Sequence, residues 1–293
     1  MKEIHRGAGL AILLQTPNGH VYLYDTGIGY PSKTDPSGWA GNFNAGRDVI
    51  APFLKKNNIR VIDGVVISHA HLDHYGGLLW LADHISIRKL YDGGYEFRGP
   101  LTPDWRSELD GYSELRNRFR ERPGGYQEVH TGDKLSWDPS LDVEVLAPPR
   151  QYFSELHPEE RSPKDPPAHY LVNANSTDLR IRHGSIVFLF PGDIEKEDQV
   201  QSLLKAVPQE KFKCDILIAP GHGINSCQSP EFAEATRPRI VIASLLARWL
   251  EANQSPALYG RFGGKVYFTA VEGNIRIVSD GSHYQVTTAR GRQ

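Results

Sequence analysis

Val65-Val66-Ile67-Ser68-His69-Ala70-His71-Leu72-Asp73-His74 joins an apolar, β-branched run to three imidazoles and a carboxylate set within six residues. Branching at Cβ suits a pleated, buried surface, so the apolar run reads as the end of a strand over residues 59–67. A strand that ends in a tight loop can turn such side chains toward one point. Neutral imidazole and carboxylate are ligands for a borderline divalent ion such as Zn²⁺, and Mn²⁺ fits the same set. The stretch therefore reads as a metal centre rather than as a solvated polar turn.

Working outward toward the N-terminus, residues 10–25 read as a hairpin. Two apolar runs flank Pro17-Asn18-Gly19, which supplies turn chemistry. The second run ends at Asp25-Thr26-Gly27. Residues 30–46 are rich in Gly, Pro, Ser and Asn and read as a long loop. Residues 47–57 carry Val49, Ile50, Phe53 and Leu54 at helical spacing. Pro52 has to lie early in that helix, because deeper in it the missing N–H would break the ladder. Beyond the His cluster a short helix is expected at 76–82 and a strand at 85–91.

Residues 92–128 differ in character. Gly pairs flank a segment holding Tyr95, Trp105, Tyr112 and Phe119, with Arg at 98, 106, 116, 118, 120 and 122. It reads as a helical insertion or lid. Strands follow near 142–146, 179–181, 186–190 and 216–218, then 265–268 and 275–278. Residues 147–168 carry six prolines and read as an irregular loop. Paired strands interspersed with helices predict a mixed α/β or layered α+β fold in a single domain over 1–293, not a purely parallel sheet.

Composition narrows the function. The 293 residues hold 33 Lys and Arg against 35 Asp and Glu, a net charge of −2. A whole-protein basic field for gripping nucleic acid is excluded, though a local patch is not. Two cysteines cannot make a disulfide scaffold and suit a reducing compartment, which favours the cytoplasm. The apolar runs are too short to span a membrane, and Met1 to Gly9 has no signal-peptide core. Dinucleotide and serine-hydrolase signatures fail: Pro31 intrudes after Gly27-x-Gly29, and no Gly-x-Ser-x-Gly occurs.

Two later segments share the form of the first. Residues 186–190 run into Pro191-Gly192-Asp193, and residues 216–218 into Pro220-Gly221-His222-Gly223. Either alone would be an ordinary turn. Beside the His cluster they supply natural further ligands, and Asp25 also stands at a strand end. The succession Asp25-x-Gly27, His69-x-His71-x-Asp73-His74, Gly192-Asp193 and Gly221-His222-Gly223 resembles the metallo-β-lactamase superfamily. Gly7-Ala8-Gly9, Asn175-Ser176, Gly192-Asp193-Ile194-Glu195 and the ending through Thr269 to Gly273 are similar to one branch, the hydrolase domain of the bacterial DNA-uptake channel.

The resemblance implies an αββα four-layer sandwich with one or two divalent ions at one edge. It implies that His69 and His71 hold a first metal, that Asp73, His74 and His222 hold a second, and that Asp193 bridges them. Asp25 would orient the His cluster from behind. Two departures stand out. Many members complete the first site with a third His where this chain has Asn175-Ser176, and His169 is the nearest other imidazole, ordinarily a loop histidine. The branch also carries a His-His-Gly-Ser run where Gly221-His222-Gly223-Ile224 stands here. The expected activity is metal-dependent hydrolysis by an activated water held by Asp193 and oriented by Asp73. The expected substrate is a small-molecule or nucleic-acid phosphodiester. A lactone, thioester or lactam is the alternative, and a non-catalytic metal-binding module the third reading. The insertion discriminates: an arginine face toward the metals favours phosphate, and an aromatic face favours the second reading.

Overall fold

The computed structural model describes residues 9–29, 43–154 and 167–291. Residues 30–42 of the expected loop, most of the proline-rich stretch (155–166) and the Gly7-Ala8 opening lie outside the described residues. The chain divides into two compact units, one built from residues up to 129 with the segment ending at 172, the other from residues 130 onward without that segment.

The first unit opens with the expected hairpin. Strands β1 (Ala11–Gln15) and β2 (Val21–Thr26) pair antiparallel. Gly46–Ile50 then winds as a wide π-helical turn and runs into α1 (Ala51–Lys56), with Pro52 in its first turn. The expected strand over 59–67 is two strands. β3 (Val61–Ile62) pairs with β5 (Ser86–Ile87), whereas β4 (Gly64–Val66) pairs with β2 and with β6 (Leu90–Asp92). Asp63 makes the break: its N–H donates to Val21 O at 2.7 Å and its Oδ2 accepts the Val21 N–H at 2.8 Å. Gly64 follows because a Cβ there would lie 2.6 Å from the Tyr91 ring. Between β4 and β5 runs α2 (Leu72–His84), four residues longer at its start than expected. The insertion contains one long helix, α3 (Pro103–Arg120), with Thr102 capping its N-terminus and Pro103 in the first turn. β7 (Tyr126–Glu128) closes the sheet, whose order is β1-β2-β4-β6-β7. Leu23, Val65 and Leu90 from the sheet, with Ile67 just past β4, pack with Leu78 and Leu81 of α2 and Leu115 and Phe119 of α3. Each such side chain contributes roughly 1.5–3 kcal/mol on burial.

In the second unit a mixed sheet runs β14-β13-β12-β11-β10-β9-β8. β8 (Lys134–Leu135) and β9 (Leu141–Ala147) precede α4 (Pro167–Ala174), which belongs to the first unit as far as Val172. β10 (Asp178–His183) and β11 (Ile186–Phe190) form a second hairpin, followed by α5 (Lys196–Ala206). β12 (Ile216–Ile218), α6 (Pro230–Thr236), β13 (Ile240–Ala243), α7 (Ser255–Gly260) and β14 (Lys265–Phe268) continue the sheet in parallel. These strands read as unbroken apolar runs because both faces are covered. Leu189, Leu217 and Val241 face a core shared with Val200, Leu203, Phe212 and Phe232. Ile186, Ile216 and Ile240 face the other way, against Ile277, Tyr284 and Val286. Those last belong to a terminal hairpin of β15 (Ile275–Ser279) and β16 (Tyr284–Thr288), reached through α8 (Thr269–Glu272). Each unit thus supplies one mixed sheet with its own helices, the ingredients of the layered α/β class expected. No helix among the described residues is long and apolar enough to cross a membrane.

Candidate metal centre

The first unit gathers the His cluster at the end of β4. Asp73 and His74 sit in the first turn of α2, and His71 is its N-cap, so a helix start rather than a loop presents them. Asp25, at the end of β2, is fully buried and left-handed at φ 56°. Its Oδ1 accepts the Ser68 N–H at 2.7 Å, and its Oδ2 accepts the Ser68 hydroxyl at 2.8 Å. The same Oδ2 lies 2.8 Å from His74 Nδ1. An ionised carboxylate only accepts, so His74 carries its proton on Nδ1 and keeps a lone pair on Nε2. The one hydroxyl hydrogen of Ser68 is donated to Asp25. The Ser68 oxygen therefore accepts from His69 Nδ1, 2.9 Å away, and His69 keeps its lone pair on Nε2. That Nε2 faces His71 Nδ1 at 2.9 Å.

This donor set fits a divalent cation. Two imidazole nitrogens approach each other with at least one lone pair aimed into the gap, and a third imidazole has its tautomer set for ligation. Outer hydrogen bonds that orient ligand imidazoles in this way are the usual companions of a metal site. Asp73, a third exposed, extends the donors toward solvent, with Oδ1 3.8 Å from His74 Nε2.

His169 lies on α4 rather than in a loop, its ring nearly parallel to that of His71 with centroids 5.2 Å apart. Trp105 of α3 stands edge-on to His71 at 5.2 Å and to His169 at 5.7 Å. Four of the six insertion arginines are engaged elsewhere. Arg116, buried, meets Asp92 and Glu96; Arg118 meets Asp83; Arg120 meets Glu96 and Glu128; Arg122 donates to Ile87 O. The face of the insertion beside His71 is aromatic.

The second unit holds the remaining predicted residues. Asp193 follows β11, and its N–H donates to Ser176 Oγ at 3.4 Å. The Asn175 side-chain amide is spent on the Phe153 backbone, donating to its C=O and accepting its N–H, both at 2.9 Å. Asn175 therefore clasps a loop, and Ser176 supports Asp193. His222 Nε2 lies 3.4 Å from Asp193 Oδ2. The Gly221-His222-Gly223 turn is left-handed throughout, at φ 50°, 61° and 90°. A Cβ on Gly221 would meet Cys227 Sγ at 2.1 Å, so the buried thiol packs beneath the turn. Asn253 Nδ2 and Ser255 Oγ tie the turn down through Gly223 O.

Sequence reasoning did not single out Ser68 as the hub, nor Glu108 of α3, whose Oε1 accepts the Leu72 N–H at 2.8 Å. Ser68 could have been suspected from its place between strand and first imidazole. Glu108 is 36 positions away and carried no signal.

The description of the metallo-beta-lactamase superfamily matches residues 5–222. The chain belongs to that superfamily, a class of metal-dependent hydrolases. It is 26% identical over 247 residues to ComE operon protein 3 of Bacillus subtilis (strain 168), covering 83% of this chain and 28% of that relative. It is 25% identical over 238 residues to competence protein ComA of Neisseria gonorrhoeae, covering 81% and 26%. The chain thus spans little more than a quarter of the length of these curated relatives. Among solved structures it is similar to Igni18, a metallo hydrolase from the archaeon Ignicoccus hospitalis, with 14% identity over 95% of both chains and a TM-score of 0.49.

Proposed function

We propose that the chain is a metal-dependent hydrolase that cleaves a phosphodiester or a related phosphate ester. The observation that carries the reading is the Asp25–Ser68 relay, which leaves His69 and His74 with lone pairs on Nε2 and aims one of them at His71. In this reading His69 and His71 hold one ion, Asp73, His74 and His222 hold another, and Asp193 serves both, as the family resemblance implies. Zn²⁺ suits this donor set first, and Mn²⁺ second. Bound divalent ions would supply Lewis acidity and a water acidified toward a pKa of about 7. Asp193 would hold that water and Asp73 orient it for attack. The similarity to two competence proteins supports a phosphodiester, in a small molecule or a nucleic acid.

The aromatic flank favours a second reading. Trp105 and His169 stand beside His71, and four insertion arginines are held by carboxylates or backbone oxygens. That surface suits an apolar substrate: a lactone, a thioester or a lactam. Zn²⁺- or Mn²⁺-reconstituted protein, assayed on a chromogenic phosphodiester beside a lactone and a thioester, separates the two. Activity on the phosphodiester that is lost in Asp193→Ala is the expected result. Activity on the other esters alone moves the assignment to the second reading. Tight metal binding with no turnover of any ester points to a non-catalytic metal module.

A further inference from the structure

The inward face of α3 meets the first turn of α2. Trp105 approaches His71, Glu108 receives the Leu72 N–H, and Tyr75 OH donates to the Glu108 carbonyl at 2.6 Å. Further along, Tyr112 OH donates to the buried Asp92 at 2.5 Å, and Arg116 pairs with the same carboxylate. Four residues of spacing between Glu108 and Tyr112, and again between Tyr112 and Arg116, put all three on one stripe of the helix.

Glu108 meets a specific need. The first N–H groups of a helix have no partner within it and are normally capped by the residue just before the first turn. In α2 that residue is His71, which makes no side-chain cap, and its Nδ1 faces His69. An imidazole committed to a metal centre cannot also accept from its own helix. Leu72, the first residue of α2, has an N–H that an N-cap side chain does not reach, and Glu108 satisfies it from outside with a charge-assisted bond at the positive end of the helix. The helix so capped begins with Asp73 and His74.

We infer that Glu108 is a positioning residue for the metal centre: by capping α2 from the insertion helix it fixes the backbone that presents His71, Asp73 and His74, and thereby raises metal affinity. The inference rests on the proposed metal-binding role of those residues. It does not depend on which ester is hydrolysed.

The test is Zn²⁺ affinity of the full chain by competition with a chromogenic chelator, with the Co²⁺ visible spectrum and the thermal midpoint of the metal-free protein measured alongside. Glu108→Ala is expected to weaken Zn²⁺ binding about tenfold, the lower end of the range for partners that orient metal ligands, and to alter the Co²⁺ bands. Glu108→Gln, which keeps an acceptor at the same reach, is expected to recover most of the affinity. Should Glu108→Ala fail to fold, Glu108→Asp takes its place, since it keeps the charge and loses the reach. Affinity within twofold of wild type and unchanged Co²⁺ bands, with only a lower thermal midpoint, would make Glu108 a structural tie and overturn the inference. A wild-type chain that binds no Zn²⁺ overturns the metal reading itself, and this inference with it.

Discussion

The Ser68 hydroxyl donates its one hydrogen bond to Asp25, and with the Asp25 carboxylate it sets the tautomers of His69 and His74. Backbone strain falls on a predicted site residue in each unit. Of the four described non-glycine residues with positive φ, Asp25 and His222 are predicted site residues. Each costs on the order of 1 kcal/mol that the surrounding bonds must offset. A different buried carboxylate has no such support. Asp178 opens β10 with neither oxygen hydrogen-bonded, and burial pushes its pKa well above the usual carboxylate range. The folded state holds that proton while the unfolded chain releases it near pH 4. Stability therefore falls as pH rises through the unfolded pKa and keeps falling until the folded pKa is reached. The expected slope is up to about 1.4 kcal/mol per pH unit for this one group. Asp178→Asn should remove that slope and be the more stable protein at pH 7. Urea unfolding of both proteins from pH 4 to 8 checks this, and parallel curves would refute it.

At the scale of elements, the insertion is fastened rather than draped. Asp92, at the end of β6, accepts from Tyr112, from Tyr126 at 2.6 Å and from Arg116 at 3.4 Å, all drawn from α3 and β7. Burial first, and the Asp92 charge second, raise the Tyr112 pKa far above that of a free phenol, so it stays a donor throughout the physiological range. Tyr112→Phe removes one donor from a buried carboxylate and leaves the ring packing in place. The expected loss is about 1–3 kcal/mol in equilibrium unfolding. A change below 0.5 kcal/mol would show that Tyr126 and Arg116 satisfy Asp92 without it. The aromatic arms Tyr75 and Tyr112, with ring centroids 5.0 Å apart, add the contact between α2 and α3 that brings Glu108 to Leu72.

For the whole molecule, both units are mixed α/β structures, and each carries predicted ligands at the ends of its parallel strands. The first holds four of them and the second Asp193 and His222. Ions that bind the folded chain and not the unfolded one add stability as RT ln(1 + [L]/Kd), about 2.7 kcal/mol at a free concentration 100 times Kd. Stripping metal with a chelator should therefore lower Tm by several degrees, and Zn²⁺ should restore it. In His69→Ala the Zn²⁺-dependent gain should shrink. An identical Tm with and without chelator, on protein shown to hold metal beforehand, would count against ligation by the folded state.

The local pattern of this chain was legible because its signals are local. The hairpin at residues 10–25 follows from turn chemistry between apolar runs, strands 186–190 and 216–218 from unbroken apolar character, and the His cluster from ligand chemistry at close spacing. Pro52 announced the first turn of its helix for the same reason. What tertiary structure decided involves partners far apart in the chain. Asp63 splits one expected strand by bonding to Val21, 42 positions away. The tautomers of His69 and His74 depend on Asp25, and the cap of α2 on Glu108, 36 positions beyond Leu72. The sequence left open whether the insertion arginines face a substrate or solvent, and the fold sets carboxylates beside Arg116, Arg118 and Arg120. Residue type and spacing specify which atoms can ligate. Only folding, which brings distant donors and acceptors within hydrogen-bond reach, determines which of those atoms keep a lone pair to offer.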